Sequence, residues 1–313
     1  MPRVVNAFSI DVEDYFQVSA LAPAVPRDTW SQREYRAERN TDRVLQLLDE
    51  AGVKGTFFVL GWIAERSPQL VRRIAAAGHE VASHGLSHQL IYHQSRDEFR
   101  RETAYSKNLL EDTIGAPVLG YRAASFSITQ ESLWALDVLI DLGFKYDSSI
   151  FPIRHDRYGI PDAPLVPGTL SAPSKRTLVE FPMSTASILG MKLPVSGGGY
   201  FRIFPYAVTR YGLRQINGSR RAPFVFYMHP WEIDPGQPRI EVSSWLSRFR
   251  HYTNLDRCEE RLKRLLREFA FAPVRDGQRQ PALEGRAAAR GQVEQLAGRA
   301  AVLRHERRAD IAG

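Results

Sequence analysis

Gly55-Thr-Phe-Phe-Val-Leu60, then Ser67-Pro-Gln-Leu-Val-Arg-Arg-Ile-Ala-Ala-Ala-Gly78, then His79-Glu-Val-Ala-Ser83 is the stretch that decides the fold. The first piece is a short run of apolar and β-branched residues of the kind a buried strand needs. The second opens on a Ser cap with proline in the first turn, carries Leu70, Val71 and Ile74 on one helical face, and stops at Gly78. The third returns at once to strand. Two strands joined by a helix of this length pair in parallel, because an antiparallel pair would need only a short turn between them.

Outward from this unit the alternation continues. Upstream, the pattern predicts a strand from Val4 to Ile10 and a helix over Thr41 to Ala51, with Thr41 as N-cap and Gly52 as the stop. Between them, the aromatic-rich stretch from Tyr15 to Trp30 is too long for an ordinary connection, and reads either as one wall of a substrate cleft or as a surface excursion. Downstream, Ser95 and Glu98 form a capping box for a helix to about Ile114. A strand at Val118 to Tyr121, a helix at Thr129 to Leu142 and a strand at Phe144 to Tyr146 follow. The expected fold is α/β, a parallel sheet that is open or closed into a barrel, with functional residues at the C-terminal ends of strands. Asp11, His84, Arg122 and Asp147 stand at such ends.

From 151 to 221 the pattern loosens into Pro- and Gly-rich loops, with Gly197-Gly-Gly199 among them and one clear strand at Leu178 to Pro182. Phe224 to Met228 reads as a buried strand, and Leu246 to Phe269 as helical. The expected organisation is a catalytic domain over 1–271, irregular over 151–271. Residues 272–313, rich in Ala, Arg and Gly, read as a mobile tail with one transient helix between Ala287 and Arg308.

The bulk numbers exclude more than they assign. The chain has 313 residues, 43% apolar, with a net charge of +7. The positive charge is scattered as Arg and is densest after Arg275. No basic helix interleaved with stacking aromatics is found, so nucleic acid is not an expected partner. The single Cys258 excludes an intrachain disulfide. No apolar run reaches the ~18 residues of a membrane span, and no signal peptide precedes Val4, so the expectation is a cytoplasmic protein without a transmembrane segment.

His84-Gly-Leu-Ser-His88 places two imidazoles at i and i+4 directly after a strand, where a helical turn would aim both at one point. An isolated pair with this spacing is commonly a pair of surface or capping histidines. Here, however, Asp11-Val-Glu-Asp14 gathers three carboxylates at the end of the first strand, and these repel one another unless a cation compensates. One of them would complete a site of two His and one carboxylate with positions open for water. A second carboxylate could serve as general base, Arg122 could orient it, and His229, after the strand Phe226-Tyr-Met228, could act as general acid.

The ordered set of motifs resembles the polysaccharide deacetylases with NodB homology, carbohydrate esterase family four, over about residues 4 to 270. Ile10-Asp11-Val-Glu-Asp14 resembles the first family motif and His84-Gly-Leu-Ser-His88 the second. Gly120-Tyr-Arg-Ala-Ala-Ser-Phe126 resembles the third, and Tyr227-Met-His229 the last. Asp11-Val-Glu-Asp-Tyr-Phe16, Tyr146-Asp-Ser-Ser149, Glu180-Phe-Pro182 and Gly198-Gly-Tyr-Phe-Arg202 are most similar to the subgroup of exosortase/PEP-CTERM exopolysaccharide loci.

The resemblance implies a distorted (β/α) barrel and a divalent metal, Zn²⁺, held by His84, His88 and an acid of the first motif. It also implies removal of N-acetyl groups from an amino-sugar polysaccharide or oligosaccharide. Asp11 would be the base, assisted by Arg122, with His229 as the acid and the Ser125 backbone amide as an oxyanion donor. For the acid ligand, strand alternation puts Glu13 on the side of Asp11, whereas a bent strand end brings in Asp14; Asp14 is slightly preferred and Glu13 stays open.

Two departures stand out. Ala124 occupies the place of the family's usual proline, which suggests a looser turn around Arg122. No clear fourth motif is found, so either Asp147 or Glu180 is expected to set the protonation of His229. Two rival readings follow, a glycan-binding relative without turnover and a metal-assisted hydrolase of a small amide or ureide. The sugar, its linkage and the oligomeric state are not set by the sequence.

Overall fold

The computed structural model describes residues 4–277 apart from Asp156, Leu189 and residues 242–243. In chain order the first half is β1 (Val5–Val12), α1 (Ala37–Glu50), β2 (Thr56–Val59), α2 (Gly61–Arg66), α3 (Pro68–Ala76), β3 (Glu80–Ser83), α4 (Arg96–Ile114), β4 (Gly120–Tyr121), α5 (Trp134–Asp141) and β5 (Tyr146–Asp147). The second half is β6 (Gly168–Ser171), β7 (Thr177–Glu180), β8 (Thr185–Ile188), β9 (Met191–Pro194), α6 (Gly198–Ile203), α7 (Tyr206–Ser219), β10 (Val225–Met228), α8 (Trp245–Tyr252), α9 (Leu255–Glu268), β11 (Ala270–Ala272) and α10 (Val274–Gly277).

The main sheet runs β10-β1-β2-β3-β4-β5-β7-β6, and β11 pairs with the start of β1. Every pairing in it is parallel except that of β6 with β7, and β8 and β9 form a separate antiparallel hairpin. A strand turns alternate side chains to opposite faces, and both faces of this sheet are buried. Phe8, Ile10 and Val12 of β1 pack outward with Val44, Leu47 and Leu48 of α1 and with Leu70, Val71 and Ile74 of α3. Ala7, Phe58, Ala82, Tyr146, Phe181, Val225 and Tyr227 form a second apolar cluster enclosed by the strands. The sheet is therefore curled into a distorted barrel.

No described strand pairing joins β10 to β7. One side chain and one loop carbonyl bridge that gap, with the Val225 N–H donating to Ser184 Oγ at 2.9 Å and the Tyr227 N–H donating to the Ser196 carbonyl at 2.9 Å. Gly197 then lies so close to β10 that a Cβ there would sit 1.8 Å from the Tyr227 carbonyl oxygen, and its φ is 140°. Only glycine fits such an approach.

Several boundaries differ from the sequence expectation, each for a tertiary reason. Helix α1 begins at Ala37 rather than after Thr41, because the carboxylate of Asp14 accepts from the N–H groups of Arg36 and Ala37. A side chain remote in sequence thus caps the helix, and the Thr41 hydroxyl donates back to the Ala37 carbonyl inside it. The helical pattern over Leu246 to Phe269 is broken by Asn254, which takes a left-handed φ of 54° between α8 and α9.

The stretch after β1 divides its roles: Ser19 and Arg27 reach the residues around His88, while its aromatics turn inward. Tyr15, Phe16 and Trp30 are buried with Leu21, Val25, Trp231 and Leu255 in a small satellite core.

The body of the protein also extends past residue 271, where the tail was expected to begin. The Val274 N–H donates to Thr56 Oγ1 at 2.8 Å and the Arg275 N–H to buried Glu80 Oε2 at 3.1 Å, so β11 and α10 close the bottom of the barrel. The rest of the expected tail, including the helix over Ala287 to Arg308, lies outside the described residues.

Candidate functional site

Residues at odd positions of β1 face the enclosed side, and the alternation carries one step past the strand. Asp11 and Glu13 are both 2% exposed and share that side, with the Glu13 N–H turned back onto the Asp11 carbonyl at 3.0 Å. Glu13 Oε2 lies 2.7 Å from His88 Nε2. One ligand atom each from Glu13, His84 and His88 falls within 4.8 Å of the other two, and all three residues are buried.

His84 and His88 do not converge by a helical turn. Residues 84–88 are a bend without helical structure, in which Gly85 has φ 76° and His88 φ 53°. A left-handed histidine is costly unless its surroundings hold it. Here Arg27 does so, donating to the carbonyls of Ser87 at 2.8 Å and His88 at 3.3 Å.

The donor set suits a divalent cation. His84 Nδ1 is 2.8 Å from the Arg122 carbonyl. A carbonyl only accepts, so Nδ1 carries the proton and the Nε2 lone pair is left for a ligand. Burial pushes His84 down to about 4, which keeps it neutral as a metal requires. Burial alone would raise Glu13, yet His88, His229 and His84 together hold its carboxyl well below the usual range. Its Oε2 is buried and faces His88 Nε2.

Asp14, the slightly preferred ligand in the sequence reading, is used elsewhere. Its Oδ1 accepts from the Tyr15 N–H at 2.8 Å, and its Oδ2 from the N–H groups of Arg36 at 2.6 Å and Ala37 at 2.8 Å. Both oxygens are thus committed to backbone, one of them to the positive end of α1. Glu13, the alternative, is the acid that meets the two histidines.

Beside this cluster, Asp11 Oδ1 accepts from Arg122 Nη1 at 2.7 Å. The guanidinium is wholly buried and held on every side. It donates to the Ser148 carbonyl and hydroxyl and to Ser9 Oγ, and it lies 4.1 Å over the Phe58 ring.

On the opposite flank, His229 Nε2 is 3.6 Å from Glu13 Oε1 and 4.0 Å from Asp11 Oδ2. Burial disfavours a charged imidazole there, but the carboxylates of Glu13, Glu232 and Asp11 outweigh it and raise His229 to about 9.

Neither carboxylate expected to partner His229 does so. Asp147 accepts from the Ser149 hydroxyl at 2.6 Å, and Glu180 from the Ile150 N–H at 3.0 Å. The two are neighbours whose burial raises Asp147 to about 6 and Glu180 well above the carboxylate range. Together they brace the loop after β5.

The partner is Glu232, whose Oε1 is 2.6 Å from His229 Nδ1. Its Oε2 accepts from Arg202 Nε of α6 at 2.7 Å, and Arg202 is 1% exposed. The same Arg202 donates to the carbonyls of Arg250, His251 and Thr253. One sequence signal could have found Glu232: it stands at the third position after His229, and its Oε1 also accepts the His229 N–H at 3.1 Å, the return arm of a capping box.

Ser125 lies in the turn Ala124–Phe126 with φ 50°, followed by Phe126 at φ 55°. Its hydroxyl is 2.8 Å from that of Ser19, which in turn is 3.4 Å from His88 Nδ1. The turn that carries Ser125 therefore sits over the His88 side of the cluster.

Comparison with known proteins divides the chain in two. Residues 28–146 match the family model Polysaccharide deacetylase, and residues 148–278 match Domain of unknown function (DUF3473). His84, His88 and Arg122 fall in the first segment and His229 and Glu232 in the second, while Asp11 and Glu13 precede both.

Among curated relatives, a peptidoglycan-N-acetylglucosamine deacetylase of Bacillus cereus is 36% identical over 75 residues, 24% of this chain and 27% of its own. A chitooligosaccharide deacetylase of Sinorhizobium fredii is 33% identical over 99 residues, 32% of this chain and 44% of its own. The chain thus spans less than half the length of either.

Over nearly its whole length the fold resembles a Mycobacterium smegmatis structure classed with the polysaccharide deacetylases. The TM-score is 0.59 at 20% identity, covering 90% of this chain and 95% of the other. The Puue allantoinase has a TM-score of 0.55 at 14% identity, over 87% and 88%.

Proposed function

We propose, from the match of residues 28–146 to the Polysaccharide deacetylase family model, that the chain hydrolyses N-acetyl groups from an amino-sugar polysaccharide, with Glu13, His84 and His88 holding a divalent metal. Two imidazoles and one carboxylate are the usual donors for Zn²⁺. When bound, the metal supplies Lewis-acid polarisation of the acetamide carbonyl and of the attacking water.

The remaining chemistry belongs to the protein's own side chains. Asp11, fixed by Arg122, takes the proton of the attacking water. The backbone N–H of Ser125 donates to the developing oxyanion. His229, gripped at Nδ1 by Glu232, gives its proton from Nε2 to the departing amine. Acetate and a free amino sugar leave.

The observation that carries this reading is the arrangement of a base and an acid on two flanks of one metal-type cluster. Asp11 and His229 are each bonded away from the centre, by Arg122 and Glu232. This also weighs against a relative without turnover. Ala124 replaces the usual proline, yet Arg122 is held by four hydrogen bonds that owe nothing to that turn.

For the finer substrate assignment, an exopolysaccharide is favoured by the subgroup motifs. Asp147 to Ser149 and Glu180 brace Arg122 and its neighbours, and Arg202, at the end of the Gly198 to Arg202 motif, holds Glu232.

The test is acetate release from N-acetylated chitooligosaccharides, before and after chelation and with Zn²⁺ restored, beside a cyclic ureide. Release that is lost on chelation and regained with metal is expected. Turnover of the ureide alone would replace this reading with that of a small-amide hydrolase.

Within the same assay Glu232→Gln is expected to lower kcat roughly 10–100-fold, the usual effect of removing a histidine's supporting carboxylate. Glu180→Gln, at a side chain that holds the Ile150 N–H and does not touch His229, is expected to stay within a few-fold of the parent. Equal losses in the two would show that Glu232 has no special tie to His229.

A further inference from the structure

We propose that α8 is a docking helix for an anionic lipid surface. Trp245, Leu246 and Phe249 are 70%, 39% and 46% exposed. At 3.6 residues per turn Trp245 and Phe249 stack one turn apart with Leu246 beside them, forming one apolar ridge. Arg248 lies on one flank of the ridge and Arg250 on the other; both are exposed, and neither has an ion-pair partner among the described residues.

The inner side of α8 is fixed to the body. His251 is 3% exposed, lies 2.8 Å from Gln237 and stacks on Trp231 at 4.4 Å. Arg202 takes the carbonyls of Arg250, His251 and Thr253. The ridge is thus presented rigidly toward solvent, and no helix of the described residues is long and apolar enough to cross a membrane instead.

Three features select the occupant. Tryptophan, phenylalanine and leucine between arginines is the composition of helices that lie in a membrane interface, the rings at the acyl boundary and the guanidiniums among headgroups. The exposed apolar surface of the three side chains is about 300 Å², well below the roughly 800 Å² per partner of a stable dimer. A neutral glycan on the ridge would leave both arginines uncompensated, whereas anionic headgroups would pair with them.

Helix α8 stands at the same end of the barrel as the candidate site, since Trp231 stacks on its His251 and on His229, at 5.2 Å, at once. Docking would hold the site mouth at the lipid surface, where a membrane-attached glycan would be met. The proposal does not depend on the deacetylase reading, because its readout requires no turnover.

The test is sedimentation of the full chain with vesicles of equal parts phosphatidylglycerol and phosphatidylcholine, and with phosphatidylcholine alone. The chain is expected to partition to the anionic vesicles, and the double variant Trp245→Ser/Phe249→Ser to do so at least ~10-fold less. The denaturant midpoint of that variant should match the parent's, showing that it is folded. Arg248→Gln/Arg250→Gln should weaken partition to the anionic vesicles specifically.

Undiminished partition in the apolar double variant would overturn the proposal and assign binding to basic residues elsewhere. So would a parent chain that ignores both vesicles. A parent chain that dimerises in solution, with the double variant monomeric, would give the ridge to a second copy instead.

Discussion

Asp11→Asn is expected to cut acetate release by about 10²–10⁴-fold, the contribution of a well-placed general base, while bound metal stays at the parent level. The substitution keeps an oxygen for Arg122 Nη1, now 2.7 Å away, so the shape of the site is retained and only the proton acceptor is lost. Removing the side chain outright would be harder to interpret. Arg122 is fully buried, and stripping the carboxylate partner of a buried guanidinium costs roughly 3–5 kcal/mol of stability. The measurement is kcat on an N-acetylated chitooligosaccharide with metal content determined on the same sample. A rate within tenfold of the parent would remove Asp11 from the role of base, whatever the metal content.

The second large effect separates two adjacent acids. Glu13→Ala is expected to weaken metal binding by more than ~100-fold, beyond what loss of a mere supporting group causes, with activity falling in step. Asp14→Ala is expected to retain the metal and to lose about 1–3 kcal/mol of stability instead, the cost of leaving buried donors unsatisfied. The reason is geometric: Asp14 accepts three backbone N–H groups and anchors α1, whereas Glu13 Oε2 faces His88. Metal stoichiometry after dialysis and a denaturant midpoint for each variant decide the matter. Metal lost from the Asp14 variant and kept by the Glu13 variant would sink the proposed ligand set.

These two substitutions also mark the line between local and tertiary information. The period-two pattern of β1 is a property of the chain itself, and it puts Asp11 and Glu13 on one side without reference to any other element. A strand end that bends would instead bring in Asp14. Only the placement of α1, which draws the Asp14 carboxylate to the N–H groups of Arg36 and Ala37, closes that option. A similar limit applied to His229. Asp147 and Glu180 suit the role by type and by strand-end position, but both are taken by the loop after β5, and Glu232, at capping-box spacing from His229, is the carboxylate that meets it.

By itself, the sequence determined the parallel alternation of strand and helix, the strand ends that carry Asp11, His84 and Arg122, and the pairing of His84 with His88, because periodicity and turn residues act over a few positions. The tertiary structure decided which acid meets the histidines, what grips His229, where the aromatics after β1 are buried, and that residues 270–277 close the barrel. Those outcomes depend on which of several chemically equivalent groups comes within hydrogen-bonding reach of a given partner. That reach is set by packing between elements far apart in the chain.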